Sequence, residues 1–296
     1  MFFTPISYDE PVFRPPAEAY SAIIQATIGC SWNKCAFCEM YSSKKFRIRN
    51  FEEIKSDISA LAQAYGSNAK KVFIADGDAM VLSTNKLIPI LDEINQKFYK
   101  LIRISCYALP KNILSKSEQE LKQLKEKGLK LIYIGIETGD EELLKLHNKG
   151  ETYDSTLKGI DKAHKAGIDT SIMIINGMGG KKYSEQHARN SAKIINELNP
   201  KYLSTLTLSF PFGIEHFKSR INFEFKQQTI VELLQELRIF INVIDVNNVI
   251  FRSNHASNSL PLKGTLSKDK EKVLEQIEIA IKNTPKHLFP IETRAM

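Results

Sequence analysis

Six short apolar runs limit what this chain can fold into: SAIIQATI, KKVFIA, LIRISCY, LKLIYIGI, IDTSIMII and KYLSTLTLSF. They are rich in Ile, Val and Leu and show little polar alternation, so they read as strands buried on both faces, the mark of a parallel sheet. Helical spacing fills the intervals. Phe51, Ile54, Ile58 and Leu61 recur on one face, as do Leu87, Leu91, Ile94 and Phe98. Ser117 and Glu120 form a capping-box pattern and Gly128 marks that helix's end. Further helices are expected over 152–166, ending at Gly167, over 190–198, closing at Pro200, and near 227–243. Strand–helix repetition of this kind predicts an α/β fold, a partial (β/α)6 TIM-type barrel with parallel strands and a short C-terminal extension. Residues 1–20 read as an extended lead-in, stiffest at Pro15 and Pro16, and 21–249 as the core domain. Residues 250–296 read as an extension over the barrel mouth, ending in a helix near 269–282.

The chain has 296 residues, 43% hydrophobic and 25% charged, which is globular composition with ample length for a core. No apolar run reaches the roughly 18–20 residues of a membrane span, and MFFTPISYDEPVFRPP lacks the basic and apolar regions of a signal peptide. A cytoplasmic protein without a membrane partner is expected. The net charge of +7 would suit nucleic acid, an anionic metabolite or an acidic partner. It equally suits simple solubility, because the basic residues are scattered apart from short clusters such as Lys44, Lys45, Arg47 and Arg49.

Three of the four cysteines, Cys30, Cys35 and Cys38, lie within nine residues after the first apolar run. Clustered thiolates are soft donors for metals rather than disulfide partners in a chain of this type. Three of them suggest a centre with one open position. A closed tetrahedral zinc site would need a fourth ligand from elsewhere in the fold. Cys106 lies in an apolar run and reads as a buried strand thiol.

Ligands of parallel α/β folds bind at the C-terminal ends of the strands. There this sequence places the cysteine loop, Asp76-Gly77-Asp78, then Gly135, Glu137 and Thr138, then Asn176-Gly177-Met178-Gly179-Gly180, and Ser209 to Gly213. Asp76 and Asp78 could alternatively form a turn or helix cap, and Glu137 a structural ion pair. Trp32 reads as a lid over the cysteine loop. Arg47 and Arg49 could hold an anion or face solvent. His164 and His187, on helical patterns, read as surface residues. The run FRSNHASNSLPLKGTL packs polar side chains after a strand-like segment. It reads either as a turn held by Asn and Ser or as a substrate-binding loop folding over the barrel mouth, in which His255 is a proton donor or a substrate ligand.

With these residues in hand, the stretch from Ser21 to Val249 resembles the radical SAM superfamily, near its Elp/MiaB/NifB-like core, in a branch with C-x4-C-x2-C in place of the usual C-x3-C-x2-C. The resemblance implies that Cys30, Cys35 and Cys38 hold a [4Fe–4S] cluster whose fourth iron is chelated by S-adenosylmethionine (SAM). It implies that Phe37 lies beside the adenine. Asp76-Gly77-Asp78 stands where the family has a GGE motif facing the methionine amino group. Glu137 falls at a position near the methionine and ribose, and Asn176 lies in the strand-five stretch that packs near the adenine. The expected activity is reductive cleavage of SAM to a 5′-deoxyadenosyl radical that abstracts hydrogen from a substrate, with flavodoxin or ferredoxin as reductant. A small-molecule substrate is expected. RNA modification, and a non-catalytic iron–sulfur or zinc protein, are the alternatives.

Overall fold

Ile24, Val72, Phe73, Ile74, Ile132 and Ile172 are all buried, as expected of strands covered on both faces. The computed structural model describes residues 5–283. In chain order its first half carries β1 (Ala22–Gln25), β2 (Thr27–Ile28), β3 (Arg47–Ile48), α1 (Phe51–Tyr65), β4 (Lys71–Ala75), α2 (Thr84–Lys97), β5 (Arg103–Tyr107), α3 (Pro110–Leu114), α4 (Glu118–Glu126) and β6 (Leu129–Glu137). Then come α5 (Glu141–Leu146), α6 (Tyr153–Lys165), β7 (Asp169–Asn176), α7 (Ser184–Leu198), β8 (Tyr202–Thr207), α8 (Ile214–Ser219), α9 (Ile230–Val243), β9 (Ile250–Ser253), β10 (Leu262–Thr265) and α10 (Leu266–Lys282).

Eight strands hydrogen-bond in the order β1-β4-β5-β6-β7-β8-β9-β10. The fold is thus α/β with a mostly parallel sheet of the partial TIM type, and the order does not close on itself. The sheet extends past the six expected strands: β9 pairs parallel with β8, and β10 turns back antiparallel on β9.

Clustering of the contacts gives two compact units. The first comprises the chain to Asn33, Cys38–Ile134 and Lys158–Thr170. The second comprises Lys34–Phe37, Gly135–Leu157 and the chain from Ser171 onward. In the first, β1 pairs with β4 and β4 with β5, all in parallel register. Helix α1 starts where Asn50 accepts the Glu52 N–H, and buries Ile54, Ile58 and Leu61. Each such buried aliphatic side chain contributes about 1.5–3 kcal/mol. The Ser117–Glu120 capping box forms with both of its hydrogen bonds. Thr27 and Ile28 of β2 pair antiparallel with Ile48 and Arg47 of β3. This two-residue ribbon closes the base of the excursion that carries Cys30 and Cys38.

In the second unit β7 and β8 pair over six residues, from Ser171↔Tyr202 to Asn176↔Thr207. Helix α7 begins at Ser184, a turn and a half before the expected start. It ends at Asn199, whose left-handed φ of 41° forms the cap ahead of Pro200. Thr229 and Glu232 make a second capping box at the start of α9.

Candidate functional site

The four cysteines differ in exposure. Cys30, Cys35 and Cys38 are half-buried and Cys106 is buried. Among the described residues no three His, Cys, Asp or Glu side chains already stand in a metal-holding group. The case for a metal centre therefore rests on donor chemistry and on what surrounds the loop.

In the first unit, Asp76 is fully buried and spent on the loop. Its Oδ2 accepts the Gly29 N–H and the Lys44 ammonium, each at 2.9 Å, and its Oδ1 accepts from Gln25 at 3.2 Å. Lys44, one of the short basic cluster in the sequence, is thus a buried ion-pair partner, its side chain 3% exposed. Gly77 follows. A Cβ on it would come within 2.6 Å of the Tyr41 ring and 3.0 Å of the Cys30 Cβ, so only glycine lets this strand end approach the loop.

Asp78 is also fully buried. Its Oδ2 accepts from Ser31 at 2.5 Å and from the Asn112 amide, while its Oδ1 is buried without a hydrogen-bond partner. Burial pushes its pKa up to about 6 against the pull of Ser31 and Asn112. The Leu109 backbone N–H and the Lys116 charge also favour its ionised form, and Oδ1 itself, with no donor in hydrogen-bond range, fits a missing cationic or N–H donor. Trp32 packs under the Lys111 ammonium, 4.0 Å from the ring centroid. Cys106 is buried, and burial raises its pKa, so it is an inert core thiol.

In the second unit, the middle of the loop is held by its backbone. The Ala36 N–H donates to the His147 carbonyl at 2.9 Å, Asn148 donates to the Lys34 carbonyl at 3.2 Å, and Arg220 donates to the Cys35 carbonyl at 2.9 Å. The Phe37 ring meets His147 edge-on at 5.8 Å, and the Lys149 ammonium lies 5.6 Å from its centroid.

Glu137, the last residue of β6, has a φ of 66°, a left-handed conformation that costs a non-glycine residue of order 1–3 kcal/mol. Its carboxylate folds back over Gly135, where a Cβ would collide with Oε1 at 1.9 Å, and pairs with Lys149 at 3.2 Å. Burial raises the Glu137 pKa and Lys149 opposes the shift. Asn176 is buried at the end of β7, and its carbonyl accepts the Leu208 N–H. The next residue, Gly177, donates its N–H to Glu236, a buried carboxylate that also accepts from Ser184.

Three residues correct or extend the sequence reading. His187 is buried rather than on the surface. Its Nε2 lies 3.0 Å from the Ile175 carbonyl and its Nδ1 2.8 Å from the Thr138 hydroxyl, which makes it a structural tie at the strand ends. His255 is exposed, and its Nδ1 accepts the Ser257 N–H within the turn. Asn258, beside it in sequence, is buried against Thr205 and Thr207 of β8. Tyr41, absent from the sequence argument, is 3% exposed and has a buried hydroxyl without a partner. Its only signal in sequence is its place three residues after Cys38.

The donor set and its surroundings fit an iron–sulfur cluster with a bound cofactor: three cysteines in nine residues, a glycine that permits close approach, and a buried carboxylate oxygen with no donor in hydrogen-bond range. The sequence profile of the radical SAM superfamily matches residues 24–195, more than half of the chain. An uncharacterised methyltransferase of Pyrococcus horikoshii is 24% identical over 205 residues, covering 67% of this chain and 42% of its own length. Coproporphyrinogen III oxidase HemN from Escherichia coli has a similar fold, with a TM-score of 0.55 at 18% identity over 75% of this chain and 52% of its own. Methylornithine synthase PylB superposes with a TM-score of 0.53 at 16% identity, over 88% of this chain and 81% of its own. The chain spans less than half the length of the curated relatives it matches. From its cysteine loop, its parallel sheet and this match, the chain belongs to the radical SAM superfamily, whose members use a [4Fe–4S] cluster and S-adenosylmethionine.

Proposed function

We propose that this chain is an enzyme that reductively cleaves SAM and turns the resulting 5′-deoxyadenosyl radical on a C–H bond of a small-molecule substrate. Cys30, Cys35 and Cys38 would hold the cluster, which supplies one electron to the sulfonium when loaded. A low-potential reductant such as flavodoxin or ferredoxin, in a cytoplasmic setting, would serve it.

The observation that carries this reading is Asp78. Its Oδ1 is buried, without a hydrogen-bond partner and set three residues past the end of β4, where a SAM ammonium would satisfy it. Ser31 and Asn112 hold the carboxylate still, so the acceptor is oriented before the ligand arrives. Gly77 supplies backbone room beside it. Asp76 braces the loop rather than binding ligand, because each of its oxygens already has a donor. Glu137, held by Lys149 and by its left-handed backbone, would accept from the ribose hydroxyls. Phe37 and the buried end of β7 at Asn176 would flank the adenine and exclude water.

Anaerobic reconstitution with iron and sulfide tests the reading. Four irons and four sulfides per chain, with 5′-deoxyadenosine formed from SAM on reduction, are expected. Cys30→Ala, Cys35→Ala and Cys38→Ala should each lose the cluster, and Cys106→Ala should keep it. One zinc per chain and no SAM cleavage would leave the metal-binding alternative standing. Turnover of RNA but of no small molecule would reassign the substrate.

A further inference from the structure

Tyr41 is the one tyrosine among the described residues with a buried hydroxyl that finds no hydrogen-bond partner. Leaving a donor unpaired inside a protein costs about 1–3 kcal/mol, so such a group calls for an explanation. Its surroundings in the first unit supply one. The ring is wedged by Phe13, edge-on at 5.4 Å, and by the strand end at Gly77. The place a Gly77 Cβ would take lies 2.6 Å from Tyr41 Cε2 and 3.0 Å from Cys30 Cβ, so ring and cysteine flank the same point of the strand end. A phenol is an O–H donor at neutral pH. The groups around it with lone pairs to offer include the thiols of Cys30 and Cys38.

We propose that the Tyr41 hydroxyl donates a hydrogen bond to a sulfur of the cluster, on its Cys30 or Cys38 side, and raises the cluster's reduction potential. The inference rests on those cysteines being cluster ligands. A hydrogen bond to a ligand or bridging sulfur spreads the added negative charge of the reduced state and so favours reduction. Tyr41 would then be a positioning and tuning residue that makes its bond only in the loaded protein.

Tyr41→Phe removes the hydroxyl and keeps the ring. The unloaded variant should melt at or slightly above the parent temperature, because the lost group had no protein partner. After reconstitution it should carry the parent's iron and sulfide, with an EPR-monitored midpoint potential shifted to more negative values. Failure of a well-folded variant to retain its cluster would also support the bond. A drop of several degrees in the unloaded melting temperature would show that the hydroxyl has a protein partner and overturn the proposal. An unchanged potential in a fully loaded variant would do the same. A parent chain that takes up no cluster would instead bring down the functional reading itself.

Discussion

Asp78→Asn isolates the acceptor on which the functional reading turns. In the parent, both donors, Ser31 and Asn112, converge on Oδ2. An asparagine must keep its carbonyl oxygen there to satisfy them, which forces the amide NH2 into the place of the orphaned Oδ1. A site built to accept from an ammonium then presents a donor to it. The loss of one charge-assisted hydrogen bond is worth about 1.5–3 kcal/mol, or about ten- to a hundred-fold in affinity, with the forced amide pushing toward the upper end. The charge also sets a pH dependence. Burial pushes Asp78 up to about 6, so the accepting carboxylate is present above that pH and protonated below it. Parent affinity for SAM should fall about fourfold between pH 7.5 and 5.5, and the variant's should stay flat over that span. Fold stability runs the other way. Because the folded value lies above the unfolded one, the ionised group costs the unloaded fold about 3 kcal/mol at neutral pH, a cost that vanishes as pH drops through 6 toward 3.8. The buried amide of the variant offsets much of the relief, so unloaded parent and variant should melt within a few degrees of each other. SAM titration followed by EPR of the reduced cluster measures the affinities. Equal affinity in variant and parent at pH 7.5, or a parent affinity that ignores pH, would refute the assignment of Asp78 to the ammonium.

Two further substitutions probe the ion pairs around the site. Glu137→Ala should destabilise the unloaded chain by about 1.5–3 kcal/mol in urea denaturation, because it removes the buried charge-assisted bond from Lys149. The double variant Glu137→Ala with Lys149→Met should recover most of that stability but not SAM binding. Asp76→Gly, which restores the family's glycine, should cost about 1.5–3 kcal/mol by removing one charge-assisted bond from Lys44, whose ammonium keeps the Asp9 carbonyl and carboxylate. It should also lower iron uptake at limiting iron, read as metal per chain, because the cysteine loop loses its brace.

Much of this was legible from patterns that are local in the chain. The run KKVFIA became β4, and Ser117 with Glu120 made both capping bonds, because three residues suffice to specify a helix start. Gly128 and Gly167 hold φ values of 97° and 77° after their helices, where side chains would be strained. What was not legible depended on partners distant in sequence. Lys44 stood in a short basic cluster, and only the fold brings it to Asp76, thirty-two residues on. His187 sat on a helical pattern whose face could be assigned only once β6 and β7 supplied Thr138 and Ile175. The strand β10 is too short and too polar, LKGT, to announce itself. Tyr41 carried no motif, and its unpaired hydroxyl is visible only when every neighbour is in place.

Asp76 and Asp78 stand two residues apart at one strand end and are put to opposite uses by their donors. The family's motif has glycine where Asp76 stands, and its cysteine loop is one residue shorter between the first two thiols. These two departures answer each other. A longer loop has more freedom to lose on ordering, and closure entropy rises with length. Asp76 ties both ends of the excursion: Gly29, immediately before Cys30, through its N–H, and Lys44, six residues after Cys38, through its ammonium. Gln25 holds the other oxygen of the same carboxylate and also ties the lead-in, where it accepts the Asp9 N–H. Asp76 already accepts three hydrogen bonds inside the protein, whereas Oδ1 of Asp78 is a buried carboxylate oxygen with no donor in hydrogen-bond range. The Asp76 brace offsets the freedom of the longer loop, and on the proposed reading Asp78 would be the carboxylate that meets the cofactor.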